Sequence, residues 1–275
     1  MDDLQSKYSI RWALRNHRKE YLAEAVSLAI FMVSACFFAA VLEHPASILN
    51  QAIPSPFFRR MLMGLAMGLT AIGIIYSPLG QCSGAHMNPA VSLTFFRLRK
   101  IMRWDLLFYI LSQFGGGVLG VGLAGILIGP AISHPAVNYV ATVPGASGVK
   151  IAFLTEFLMS FGLMITVLTV SSHPKYSKYT GVFCGVLLAS YITFWATLSG
   201  MSINPARTVG SALFAHEWRG WWVYLTAPAL GMLTAAEVYL FAHPIVRSAG
   251  CAKLFHPAGR PCIFCWFRQH NGQKA

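Results

Sequence analysis

Residues 83–97 read SGAHMNPAVSLTFFR, and residues 199–215 read SGMSINPARTVGSALFA. Each stretch carries a glycine, then Asn-Pro-Ala, then an apolar run too brief to cross a membrane. Asparagine is a favoured N-cap, and proline fits the first helical turn because its missing N–H would be unpaired there anyway. Asn88-Pro89-Ala90 and Asn204-Pro205-Ala206 therefore each predict a helix that starts at the asparagine. At 1.5 Å per residue, ten to twelve residues reach roughly 15–18 Å, about half of a hydrocarbon core.

The surrounding sequence is that of a membrane protein. Of 275 residues, 56% are apolar and 11% charged, with a mean hydropathy of +0.56; a soluble domain carries about a quarter charged residues. Six runs are long enough to span a bilayer, near 21–43, 60–79, 103–129, 150–171, 179–198 and 221–242. A porin-type barrel would instead show alternating segments of about ten residues. Tyr21, Trp104, Trp221 and Trp222 fall near span ends, where amphipathic rings prefer to sit. The first twenty residues are polar and basic, so no cleavable signal is expected and the first span acts as its own insertion signal.

The net charge of +12 is distributed by topology, which argues against a nucleic-acid partner. With the N-terminus inside, sixteen of the 21 lysines and arginines fall on the inner side; Arg59, Arg60, Lys150, Arg207 and Arg219 do not. The positive-inside rule then places both termini in the cytoplasm, in a plasma or inner membrane.

Asn88 and Asn204 are 116 positions apart with three spans between them, an odd number. The two short helices must enter from opposite faces. Gly64 and Gly68 precede the first motif and Gly181 and Gly185 the second, at a spacing that lets helices approach closely. Glu24 near the start of span one is echoed by Glu156 near the start of span four. These recurrences define an inverted repeat, three spans and one half-helix in each half. Two half-helices would meet N-terminus to N-terminus near the midplane, and non-helical backbone at that depth is tolerated only inside protein or beside a water-filled cavity. The pattern predicts a pore.

The paired motifs, with Ser83-Gly84-Ala85-His86 before the first and Arg207 after the second, closely resemble the aquaporin (major intrinsic protein) family over about residues 20–243. The resemblance implies a right-handed bundle of six transmembrane helices plus two half-helices, commonly a homotetramer with one pore per subunit. It also implies that Asn88 and Asn204 present amide donors at the pore midpoint. Carbonyls of Gly84, Ala85, His86, Gly200, Met201 and Ser202 would form an acceptor ladder, and Arg207 an outer donor and cation barrier. Donors and helix N-termini at the centre would orient water and repel hydronium.

Water-selective members of the family carry an aromatic residue on span two and a histidine on span five. Here Met67 takes the first position, with Gly68 as the alternative register, and Ile192 the second. A constriction of Met67, Ile192, Met201 and Arg207 lacks the histidine donor and carries adaptable thioethers. Thr208, Ala212 and Tyr224 instead look water-type. The reading is a passive channel for water, with leakage of small neutral solutes. The alternatives are a glycerol or small-solute facilitator and, in another class, a channel-inactive scaffold or junction protein.

Glu24 and Glu156 sit among apolar residues and need donors; the family role is to support the half-helix loops, the alternative proton coupling in a carrier. His86 is either a loop hydrogen-bonding residue or part of the inner mouth. Catalysis finds no Ser/His/Asp set and no phosphate loop, and no cofactor is required. Residues 1–20 read as a basic tail, 21–243 as the channel domain, and 244–275 as a tail containing Cys251, His256, Cys262 and Cys265. Those four suit a tetrahedral zinc site, a redox-sensitive thiol pair, or inert juxtamembrane cysteines, with Trp266 and Phe267 docking on lipid. Cys36, Cys82 and Cys184 read as packing residues.

Overall fold

The computed structural model describes residues 9–243, 251–256 and 262–265. Within residues 9–243 ten α-helices follow one another: α1 (Ile10–Glu43), α2 (Ile48–Ala52), α3 (Pro56–Tyr76), α4 (Pro78–Ser83), α5 (Pro89–Arg97), α6 (Arg103–Ile128), α7 (Gly148–Ser172), α8 (Thr180–Ser199), α9 (Pro205–Ala215) and α10 (Trp221–Ala242). Among the described residues, α1, α3, α6, α7, α8 and α10 are long and apolar enough to cross a membrane. The chain is an all-α, multi-pass integral membrane protein.

Helix α1 begins well before the expected edge at residue 21. Ser9 caps it, its hydroxyl accepting from the Trp12 N–H at 3.2 Å. Residues 10–20 are therefore helix rather than tail. Their polar groups are tied to α6, where Asp105 accepts from the Tyr21 hydroxyl at 2.5 Å and lies 2.9 Å from His17 Nδ1. At 34 residues, α1 is about 50 Å long and extends beyond a core of about 30 Å.

Packing follows the internal duplication. Helix α1 lies on α6 as α7 lies on α10, α5 lies on α10 as α9 lies on α6, and α3 pairs with its own counterpart α8. Glycines set these distances. A Cβ at Gly116 or Gly120 of α6 would come within 2.2 or 2.6 Å of the Ala25 or Ala29 carbonyl oxygen on α1. In the second repeat, a Cβ at Gly231 of α10 would lie 2.3 Å from the Phe157 carbonyl oxygen on α7. Between repeats, Gly68 abuts Gly185 and Gly64 abuts Ala189, so α3 and α8 touch backbone to backbone.

The two half-helices point opposite ways. The end of α5 reaches the face where α10 ends, with Arg97 2.9 Å from Glu237. The end of α9 reaches the other face, where Phe214 stacks on Tyr139 of the α6–α7 connection with centroids 6.0 Å apart. The face carrying both ends of the bundle is called the terminal face below.

Replacing Gly68 with leucine should force α3 and α8 apart and cost about 1–3 kcal/mol or more. Gly73, where a Cβ would meet nothing within 4 Å, should accept leucine without loss. Thermal unfolding of the two detergent-purified variants checks the contrast.

Candidate functional site

Asn88 stands at φ −155° immediately before α5, and its Oδ1 accepts from the Ala90 N–H at 2.9 Å. Asn204 does the same for α9, accepting from Ala206 N at 3.0 Å and Arg207 N at 3.3 Å. The amide nitrogens then cross between repeats. Asn88 Nδ2 donates to the Ile203 carbonyl and Asn204 Nδ2 to the Met87 carbonyl, both at 2.7 Å. One hydrogen of each amide is used this way, which leaves the second for an oxygen in the adjoining cavity, since a carboxamide has two donors.

That cavity, about 280 Å3, is bordered by both loops. Its apolar wall comes from the spans, including Leu28, Phe31, Met63, Val167 and Leu188. Residues 85–88 and 200–204 of the two loops line it as well, with the charged side chains Glu43, Arg60 and Arg207. The loop backbone alternates in hand: Ala85, Met87, Met201 and Ile203 have φ of 55°, 49°, 52° and 48°. The N–H groups are taken up on the protein side. Glu24 Oε1 accepts from the Met87 N–H and, at 2.8 Å, from Gln113 Nε2. Glu156 Oε1 accepts from Ser202 N at 2.9 Å and Ser199 Oγ at 2.7 Å, while its Oε2 accepts from Ile203 N at 2.5 Å. Tyrosines brace both loops, Tyr109 donating to the Ser83 carbonyl at 2.6 Å and Tyr224 to the Ser199 carbonyl at 2.7 Å.

Met67, Ile192, Met201 and Arg207 all border the cavity. Gly68 instead packs on Gly185, so of the two candidates Met67 is the one that faces inward. Arg207 is half-buried, and among the described residues its Nη1 has no protein partner. Thr208 does not border the cavity; its hydroxyl lies 2.5 Å from Ser202 Oγ and 3.0 Å from Thr142 Oγ1. Ala212 and Tyr224 are likewise buried away from it.

Several readings change. Gly84 is not on the cavity wall, because its carbonyl accepts from the Leu254 N–H at 3.1 Å; Met87 borders the cavity in its place. Cys184 is more than a packing residue, since it borders the cavity, and so does Arg60, which charge counting left unexplained. Among the described residues, Arg60 Nε has no partner, whereas Arg59 pairs with Glu43 at 3.1 Å. A paired Arg-Arg at the start of a span was the available signal. His86 is hydrogen-bonded on both ring nitrogens, Nδ1 to Ser92 Oγ at 3.0 Å and Nε2 to the Ala252 carbonyl at 2.6 Å. Cys251, His256, Cys262 and Cys265 come together with all four donor atoms within 4.8 Å of one another. Trp266 and Phe267 lie outside the described residues.

The major intrinsic protein family profile matches residues 11–239. The chain belongs to that family. Among curated proteins it is 28% identical to nodulin-26 of Glycine max over 80% of this chain and 76% of the relative. It is 30% identical to a probable NIP-type aquaporin of Nicotiana alata over the same shares. The X-ray structure of the aquaglyceroporin from Plasmodium falciparum superimposes with a TM-score of 0.68, covering 82% of this chain and 96% of that one, at 19% identity; this similarity is one of fold. As a major intrinsic protein, the chain is a channel for water or small neutral solutes and not an enzyme.

The two carboxylates of this channel are used unequally. Glu156 holds three donors on both oxygens, whereas among the described residues Glu24 Oε2 has no partner. Glu156→Gln should therefore lose a loop hydrogen bond and cost about 1–3 kcal/mol, while Glu24→Gln keeps its acceptor and turns the amide nitrogen to the unused side. Thermal unfolding and proteoliposome permeability should both fall further for the first variant than for the second.

Proposed function

We propose that this chain is a passive facilitator of small neutral solutes, with water among them, rather than a channel confined to water. The observation that carries this reading is the ring of Met67, Ile192, Met201 and Arg207 on the cavity wall, in which Arg207 is the sole side chain with strong hydrogen-bond donors. An apolar ring with one donor does not require each passing oxygen to be stripped and held by several groups, and two thioethers adapt to a solute's shape. Thr208, Ala212 and Tyr224, whose identities favoured water alone, do not touch the lumen. The similar solved structure is titled an aquaglyceroporin, which accords with the broader solute range.

In this reading Asn88 and Asn204 donate to the solute's oxygen at mid-pore. Carbonyls of residues 85–87 and 200–203 accept from it, and the facing N-termini of α5 and α9 with Arg207 repel cations and hydronium. Glu24 and Glu156 hold the loops. Both termini face the cytoplasm of a plasma or inner membrane, on the distribution of basic residues, and four copies assemble, as the family resemblance implies.

Stopped-flow light scattering of proteoliposomes under sucrose, glycerol and urea gradients tests the proposal; permeability to water alone would overturn it. Ile192→His should add a second donor and lower glycerol flux roughly tenfold relative to water. Arg207→Val should raise proton leakage, read with an entrapped pH-sensitive dye.

A further inference from the structure

The described tail residues, 251–256 and 262–265, are docked on the bundle. Ala252, Lys253, Leu254 and Phe264 are all buried, and Leu254 borders the cavity at its terminal-face end. The Leu254 N–H donates to the Gly84 carbonyl at 3.1 Å, and Lys253 Nζ donates to the Gln81 carbonyl at 2.6 Å. Phe264 stacks on His86 with centroids 5.7 Å apart and planes 13° apart, and Phe255 meets the Tyr76 ring edge-on at 4.9 Å. A Cβ at Gly84 would sit 3.0 Å from Lys253 Cγ, so the backbone there is shaped to the tail lying on it.

The contact reaches the pore loop by hydrogen bonds. The Ala252 carbonyl can only accept, so His86 Nε2 carries the proton and Nδ1 accepts from the Ser92 hydroxyl. Gln113 Nε2 in turn donates to Ser92 Oγ at 2.9 Å and to Glu24 Oε1 at 2.8 Å, and Glu24 holds Met87.

Two segments this short have no core of their own and need a staple to keep one shape. The four metal-ligating side chains sit where a staple would. Cys251 and His256 bracket the inserted residues 252–255, and Cys262 and Cys265 bracket Ile263 and Phe264. Cys251 Sγ lies 3.3 Å from Cys262 Sγ and 3.5 Å from Cys265 Sγ, and Cys265 Sγ lies 3.4 Å from His256 Nε2. Donors on a tetrahedron with bonds of about 2.0–2.3 Å stand about 3.5–3.8 Å apart, close to these separations. Three sulfurs and one imidazole nitrogen are the donor set of a closed structural zinc site.

We infer that Cys251, His256, Cys262 and Cys265 bind one Zn2+, and that the ion holds residues 252–255 and Phe264 as a plug in the terminal-face mouth of the pore. Binding converts three thiols to thiolates and releases their protons, and loss of the ion frees both segments at once. The plug rests on the channel reading above; the metal site does not.

The test uses the full-length protein purified without chelator. Elemental analysis should find one zinc per chain, and Co2+ in its place should give the visible absorption of tetrahedral thiolate ligation. In proteoliposomes, Cys262→Ser/Cys265→Ser should lose the metal and raise water flux roughly tenfold. Leu254→Asp/Phe264→Asp, which undocks the plug and leaves the ligands intact, should raise flux equally while retaining zinc. Zinc well below one per chain in the unmodified protein overturns the site. Zinc bound with equal flux in all three proteins overturns the plug and leaves the channel standing. High flux in the Leu254/Phe264 variant alone overturns control by the metal. Absence of flux in every variant, with insertion preserved, overturns the channel reading and leaves the zinc result to stand by itself.

Discussion

Each half-helix begins at an asparagine whose oxygen serves its own helix and whose nitrogen serves the other repeat. Asn88 reaches the Ile203 carbonyl and Asn204 reaches the Met87 carbonyl, so the centre of the molecule is a reciprocal pair of amide bonds. Helix N-termini carry partial positive charge and would not otherwise be brought together. The crossing bonds, and the burial of Pro89, Ala90, Pro205 and Ala206 around them, hold that arrangement. Of the left-handed residues before each asparagine, Met87 and Ile203 turn their N–H groups toward Glu24 and Glu156, and Ala85 and Met201 turn theirs toward the Ser83 and Ser199 hydroxyls. The cavity's apolar wall is supplied by the spans, and glycines set the close approach of α1 to α6, α7 to α10 and α3 to α8.

The duplication is near-symmetric at this centre and departs from symmetry toward the mouths. Ser83 pairs with Ser199, Met87 with Ile203, and Ser92 with Thr208 at one constant offset, each pair in equivalent hydrogen bonds or backbone conformation. His86 departs from Ser202 at the equivalent place. Ser202 closes a short bond to Thr208 within its own loop, whereas His86 uses one nitrogen for Ser92 and exports the other to Ala252. The larger ring gives the first loop a flat surface on which Phe264 lies. Among the described residues the opposite mouth has no such cover; it is bordered by Glu43, Arg60 and Arg207, a net positive set. The two ends of the cavity therefore differ in chemistry, one bordered by charged side chains and the other by Leu254.

Much of the fold was legible in the chain itself because bilayer physics leaves few choices. A run of about twenty apolar residues must be a helix, an odd number of spans must invert the second motif, and Asn-Pro-Ala must begin a helix rather than continue one. These local rules located α3 and α6 through α10 to within a few residues, and recurrence drew attention to Asn88 with Asn204 and to Glu24 with Glu156. They misjudged α1, whose polar beginning reads as tail, because Asp105 is 84 positions from Tyr21 and 88 from His17, the side chains that it holds.

Which residues face the lumen was settled only by tertiary structure. Periodicity could not separate Met67 from Gly68, since one turns inward and the other meets a glycine on a helix more than a hundred residues away. Nor could residue identity show that Thr208, Ala212 and Tyr224 stand behind the wall while Cys184 and Arg60 stand on it. The place of the tail was furthest from view. The residue types of Cys251, His256, Cys262 and Cys265 left a zinc site, a thiol pair and inert cysteines open; their seat beneath Gly84 depends on a carbonyl, a histidine ring and a bared glycine that only the folded first repeat brings to one surface. Sequence by itself determined the spans, the inversion and the chemistry available at mid-membrane, because those follow from local propensity and the solvent. Facing and docking were decided by the fold, because they depend on contacts between residues far apart in the chain.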